Sequence, residues 1–270
     1  MATARAPISE LLRLSQQLTL RFDPGQHRTR ADFQVGAANR AAVELIDSGR
    51  DWPSRVCVLI GPEASGKSHL AEILEAEQGA LILHNRPDPA IDRPAAIDWH
   101  GIAAENALAQ PDRLVIVEDT GPGLDEAGLF HLINSVVNGE GRLLLTARTP
   151  PTDWRLSLPD LVSRLRAATP VVIAPPDDAL LEQILAKHFG DRQMVVDPAV
   201  IRYAIARMER SYASAQALAA KLDAAALARK SAITKALAAD ILGAGAQPLL
   251  PGLDGDTDAD AGDGQVDLDP

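Results

Sequence analysis

Gly61-Pro62-Glu63-Ala64-Ser65-Gly66-Lys67-Ser68 decides how this chain folds, because it follows directly on the apolar run Val56-Cys57-Val58-Leu59-Ile60 and precedes Leu70, Ile73 and Leu74 at helical spacing. The order strand, glycine-rich turn, helix is that of a phosphate-binding loop. Each residue type has a physical task. The glycines let the backbone curl until its N–H groups converge on an anion, Lys67 supplies positive charge to the β and γ phosphates, and the Ser68 hydroxyl reaches Mg²⁺. By composition alone the pattern arises in roughly one chain in a hundred of this length, and the flanking strand and helix make coincidence rarer still. The octapeptide and His69 behind it therefore form the candidate nucleotide-binding segment, for ADP or ATP with magnesium.

Working outward, apolar runs alternate with helix-like segments. Residues 55–60, 80–83, 114–117, 142–146 and 171–173 read as strands, which predicts an α/β fold with a five-stranded parallel sheet and helices on both faces. After Pro175-Pro176 the periodicity becomes helical throughout, over 177–189, 198–208, an Ala-rich stretch 212–230, and 234–242. The expected organisation is a leader over 1–30 that is flexible apart from an apolar patch, a nucleotide-binding α/β domain over 31–175, a small all-helical lid over 176–242, and a disordered acidic tail over 243–270. Alanine in the long helix suits close helix packing and carries no chemistry.

The net charge of −11 owes much to the tail, which holds seven Asp and no Lys or Arg; the remainder is still acidic. That balance argues against a protein whose main task is gripping duplex DNA through many phosphates, and favours a protein partner. The single Cys57 lies in an apolar run and reads as a small core residue. No stretch approaches the roughly 18 apolar residues of a membrane span, and the N-terminus lacks a continuous apolar signal core. A cytoplasmic setting is the expectation.

A second nucleotide motif is supplied by Leu114-Val115-Ile116-Val117-Glu118-Asp119, four apolar residues and then two carboxylates. This is the Walker B arrangement: Glu118 would hold Mg²⁺ through its water shell and Asp119 would polarise the attacking water. Nucleotide hydrolases of this kind usually carry Asp first and then Glu or Asp. The inverted order alters the reach of both carboxylates, from which weak self-hydrolysis is expected.

Together these segments resemble the AAA+ ATPases, and more narrowly the DnaA replication initiators and the shortened Hda-type regulators related to them, over about residues 30–242. Asp32-Phe33-Gln34-Val35-Gly36 with Asn39 is similar to the initiators' N-terminal box, which implies that Phe33, Val35 and Asn39 border the adenine. Thr146-Ala147-Arg148-Thr149-Pro150-Pro151 resembles the sensor 1 segment and points to Thr146. Leu158-Pro159-Asp160-Leu161-Val162-Ser163-Arg164-Leu165 resembles the segment that carries the arginine finger, so Arg164 is the implied trans-acting catalytic residue. The resemblance breaks where the initiators place a sensor 2 arginine: the register puts Ala213 there, which implies reduced discrimination between ATP and ADP unless Arg210 substitutes. The initiators' helix-turn-helix domain also has no counterpart after Leu242, so direct reading of an origin sequence is not expected.

In the leader, Gln17-Leu18-Thr19-Leu20-Arg21-Phe22 resembles the peptide with which bacterial proteins dock on the β sliding clamp of DNA polymerase III. Gln17 would enter a polar pocket, and Leu18, Leu20 and Phe22 would supply apolar anchors. Taken together, the resemblances imply a negative regulator that rides on the DNA-loaded clamp and stimulates hydrolysis of DnaA-bound ATP, touching DNA only through the clamp; the chain could also pair with itself. Two other readings stand beside it, a self-hydrolysing ATPase of the helicase-loader kind and a non-catalytic nucleotide-bound adaptor.

Overall fold

The computed structural model describes residues 29–84 and 111–243. The leader with the clamp-like Gln17, Leu18, Leu20 and Phe22, and the tail beyond Gly243, lie outside the described residues. The chain divides after Leu180 into two compact units.

In the first unit, β1 (Val56–Ile60), β2 (Leu81–His84), β3 (Leu114–Thr120), β4 (Arg142–Ala147) and β5 (Thr169–Val172) form one parallel sheet in the order β2-β3-β4-β1-β5. The expected five-stranded parallel sheet is thus present. The three central strands read as near-continuous apolar runs because both faces of a parallel sheet are covered. Val56, Val58, Val115, Val117, Leu143 and Leu145 join one core with Leu129, Leu132, Ile133 and Val136 of α3 (Glu126–Asn138) and with Leu161 and Leu165 of α4 (Pro159–Ala167). The alternate residues Cys57, Leu59, Ile116 and Leu144 are equally buried, as the two-residue period of a strand demands. On that side α1 (Arg40–Asp47) packs on β5 and on α2 (Lys67–Gln78), and α2 packs on β2 and β3. Cys57 is fully buried, and burial pushes its thiol pKa up.

In the second unit, the greater part of α5 (Asp178–Gly190), α6 (Pro198–Ile205), α7 (Tyr212–Arg229) and α8 (Lys235–Gly243) share one apolar core. The Ala-rich α7 contributes Ala215, Leu218, Ala219, Leu222 and Ala226 to it, so its alanines serve close packing. The starts of α6 and α7 are set by side chains that accept exposed backbone N–H groups: Asp197 takes that of Ala199, with Pro198 in the first helical position of α6, and Ser211 takes that of Ser214 in α7. Among the described residues no helix is long and apolar enough to cross a membrane.

Candidate nucleotide site

The parallel register brings the C-terminal ends of β1, β3 and β4 together, and the loops that follow them carry the chemistry. After β1 the chain turns through Ala64 at φ 59 and Gly66 at φ 92, both left-handed. Backbone of that kind turns N–H groups inward into an anion-binding concavity, here opening onto the start of α2. Gly66 tolerates no side chain: a Cβ there would come within 2.7 Å of the Phe33 ring. At Gly61 a Cβ would meet Ser65 Oγ at 2.7 Å and Ile173 at 3.0 Å.

Lys67 is only 8% exposed. Its ammonium donates to the carbonyls of Gly61 at 2.9 Å and Pro62 at 2.8 Å, and more weakly to Ser65 Oγ at 3.4 Å. Burial lowers its pKa; Asp119 opposes that most strongly, Glu118 and Glu63 less so, while the Arg148 guanidinium reinforces it. These groups therefore form one electrostatic cluster around the ammonium. Ser68 is exposed in the first turn of α2, and Pro62, Glu63 and Ala64 are exposed on the loop. His69 lies edge-on to the Phe33 ring at 5.1 Å, with Nε2 at 3.0 Å from the Thr29 carbonyl.

The carboxylates differ from each other in setting. Glu118 is buried, with Oε2 at 3.0 Å from His84 Nδ1 and Oε1 buried without a hydrogen-bond partner. Asp119 is exposed and left-handed at φ 57. The sequence reading ended this strand at Val117, whereas β3 runs on to Thr120 through an irregularity in its pairing with β4 between Val117 and Thr120. Thr146 holds that bulge from β4: its hydroxyl accepts the Asp119 N–H at 3.2 Å and its carbonyl accepts the Thr120 hydroxyl at 2.9 Å. A bulge re-aims the side chains beside it, so Thr146 acts on the Asp119 backbone.

The N-terminal box is built around Asn39. Its side chain, in a residue 2% exposed, accepts the Gly36 N–H and donates to the Gln34 carbonyl, both at 2.8 Å. Phe33 is buried against Gly66 and Val35 is 39% exposed. Asn39→Ala would leave both backbone groups without that partner and is expected to destabilise the first unit by about 1–3 kcal/mol. Asn39→Asp, which keeps the acceptor and loses the donor, should fall between; urea unfolding of the three proteins checks the order.

Arg164 is placed by α4, separately from the loop cluster. Glu126 fixes the approach to that helix by accepting the N–H groups of Ser157 and Leu158, at 2.9 and 2.7 Å, which holds its carboxyl below the ordinary range. Trp154, 1% exposed, donates Nε1–H to the Thr149 carbonyl at 2.9 Å and pins the turn after β4. Leu161 and Leu165 anchor the helix in the core, while Arg164 and Arg166 are exposed in its last turn. Among the described residues no carboxylate pairs with Arg164. Ala213 occupies the first turn of α7 in the second unit.

Sequence reading missed two members of the cluster. Arg148 donates to Glu63 at 2.8 Å, joining the segment after β4 to the glycine-rich loop. His84 lies directly across from Glu118 in the β2–β3 register; a polar residue closing an apolar strand was the available signal.

The donor set fits nucleotide phosphates: converging N–H groups, a buried ammonium and a helix N-terminus. The unpartnered Glu118 Oε1 fits a magnesium-bound water. Among the described residues no three His, Cys, Asp or Glu side chains gather into a protein-only metal cage, so an Mg²⁺ ion here would take most of its ligands from phosphate and water.

A five-stranded parallel sheet of this order, with a glycine-rich loop after β1 and paired carboxylates at the end of β3, is the α/β fold called AAA+. The chain is similar to domain III of the replication initiation protein DnaA from Thermotoga maritima, at 16% identity over 83% of this chain and 98% of that one, with a TM-score of 0.63. It is also similar to a replication initiator DnaA bound to AMPPCP and single-stranded DNA, at 18% identity over 76% and 68% of the two chains with a TM-score of 0.57. A variant of Thermotoga maritima RuvB aligns at 15% identity over 79% and 71%, with a TM-score of 0.59. At these identities the likeness establishes the fold. No protein-family model and no curated protein matches the sequence.

Proposed function

We propose that this chain is a nucleotide-bound AAA+ regulator that switches off a DnaA-type initiator by supplying Arg164 to ATP held by that partner. The observation that carries the reading is the pairing of a complete phosphate cradle with an arginine that is exposed, without a carboxylate partner among the described residues, and fixed by a well-anchored helix. The DnaA likeness in fold supports a relative as the partner. A guanidinium entering such an interface stabilises the charge that develops on the transferred phosphoryl group.

In this reading the chain's own ADP or ATP organises the domain. Lys67 and the N–H groups of residues 63–68 hold its phosphates, Ser68 and Glu118 hold its magnesium through oxygen and water, and Gly61, Pro62, His69, Phe33, Val35, Asn39 and Thr146 shape the loops around it. The nucleotide when bound supplies a polyanion that neutralises the convergent donors. Weak hydrolysis of the chain's own ATP follows from Asp119, the shorter carboxylate, being left to polarise water from an exposed bulge. The gathering of Lys67, Glu118 and Asp119 in one cluster also favours a second reading, a self-hydrolysing ATPase. Turnover that needs Asp119 and not Arg164 would select it.

Clamp docking through Gln17, Leu18, Leu20 and Phe22 would confine the action to replicating DNA in the cytoplasm, with DNA met only through the clamp. Replacing Gln17 and Leu18 together by alanine is expected to abolish clamp-dependent stimulation of ATP hydrolysis by DnaA and to leave nucleotide binding intact. Full stimulation by that variant in a clamp-dependent assay would remove the docking claim. The wider function is tested by comparing DnaA-bound ATP hydrolysis with and without this chain.

A further inference from the structure

The β2–β3 register makes His84 and Glu118 direct partners in neighbouring parallel strands, so their side chains leave the sheet on the same face. Their contact is close, 3.0 Å from Nδ1 to Oε2. An acceptor oxygen at that distance makes Nδ1 the protonated ring nitrogen. The other carboxylate oxygen, Oε1, is buried with no hydrogen-bond partner, in a residue 7% exposed. A buried carboxylate oxygen left unpaired is costly and native structures rarely keep one without a use.

Glutamate at this strand end has one more rotatable bond than the aspartate usual there. It therefore reaches further and holds its direction less well. A ring locked onto Oε2 removes that freedom and leaves Oε1 as the unpartnered buried oxygen of a carboxylate whose charge acts on Lys67.

We propose that His84 is a positioning residue for the metal carboxylate: it clamps Glu118 Oε2 and so aims Oε1 at the water shell of magnesium bound with the nucleotide. This deepens the nucleotide reading above and rests on it. His84 itself touches neither metal nor nucleotide. It compensates for the Glu-for-Asp exchange, because the added reach of Glu118 is given a fixed direction by a neighbour on the adjacent strand. Hydrogen-bonding partners of metal-ligating groups typically govern metal affinity by about 10–100-fold.

The test is the magnesium dependence of fluorescent ADP binding to the full chain, measured for wild type, His84→Ala, His84→Asn and Glu118→Gln. For His84→Ala the magnesium midpoint is expected to rise by about tenfold or more, with binding in EDTA and the melting temperature in EDTA following wild type. His84→Asn, whose amide N–H can reach a carboxylate oxygen, should recover part of the loss. Adding His84→Ala to Glu118→Gln should cost nothing further, since both act through one contact. An unchanged midpoint in His84→Ala would overturn the positioning role. So would equal losses of binding with and without magnesium, which mark a structural role. Failure of the wild type to bind ADP in either condition would instead overturn the nucleotide reading itself.

Discussion

Lys67→Ala is expected to weaken nucleotide binding by 10² to 10⁴. The ammonium is buried among the loop's own carbonyls, and burial lowers its pKa while Asp119, Glu118 and Glu63 pull the other way. Facing phosphate, it would exchange those neutral acceptors for charged ones, and a hydrogen bond to a charged group contributes about 1.5–3 kcal/mol. Two such bonds give the stated range, at about 1.4 kcal/mol per factor of ten. Lys67→Met keeps the apolar stem and should lose affinity just as much, which separates charge from packing. Titration with fluorescent ADP and ATP provides the measurement. Affinity within threefold of wild type in both variants would show that the loop does not hold phosphate.

Arg164→Ala is expected to remove the stimulation of ATP hydrolysis on a DnaA partner, a loss of about 10³ to 10⁵ if the arginine supplies the trans finger. The chain's own nucleotide affinity should not follow, because α4 is positioned by Leu161, Leu165, Trp154 and Glu126, independently of the Lys67 cluster. Arg164→Lys should rescue little, since an ammonium lacks the planar fork of the guanidinium. Arg166→Ala, the neighbouring exposed cation, serves as a control and is expected to stay within a fewfold of wild type. Similar losses at both positions would mean that α4 contributes general positive charge, such as steering, in place of a finger. Stimulation unaffected by Arg164→Ala would leave the adaptor reading.

What could be seen in the sequence and what could not divide along local and non-local lines. The sheet was legible because β1 to β4 each hold an apolar run, and the glycine-rich octapeptide placed β1 and α2 in order; β5, Thr169-Pro170-Val171-Val172, is half exposed and begins two residues before the apolar stretch that marked it. The caps at Asp197 and Ser211 and the alanines of α7 also act within a few residues of themselves. The bulge at the end of β3 was not legible: Asp119 takes a left-handed conformation that no nearby glycine announces, and the hydroxyl that holds it belongs to Thr146 on another strand. His84 was hidden for the same reason, since it meets Glu118 only once β2 and β3 have chosen their register. Asn39 was marked out for its resemblance to a box bordering adenine, while the structure shows a task that spacing alone does not reveal, closing the turn between Gln34 and Gly36. Arg164 sits between these extremes. Its exposure follows from the helix pattern around Leu161 and Leu165, but its proposed role came only from the resemblance of the segment around it.

The central claim is action in trans, and single-turnover hydrolysis of radiolabelled ATP preloaded on DnaA tests it most directly. The reaction would contain clamp loaded on DNA and either no regulator, the ADP-bound wild-type chain, or its Arg164→Ala form. The expected result is rapid loss of ATP from DnaA with the wild type alone, and the slow intrinsic rate with the other two. Equal rates in all three reactions, with the wild type folded and ADP-bound, would contradict it.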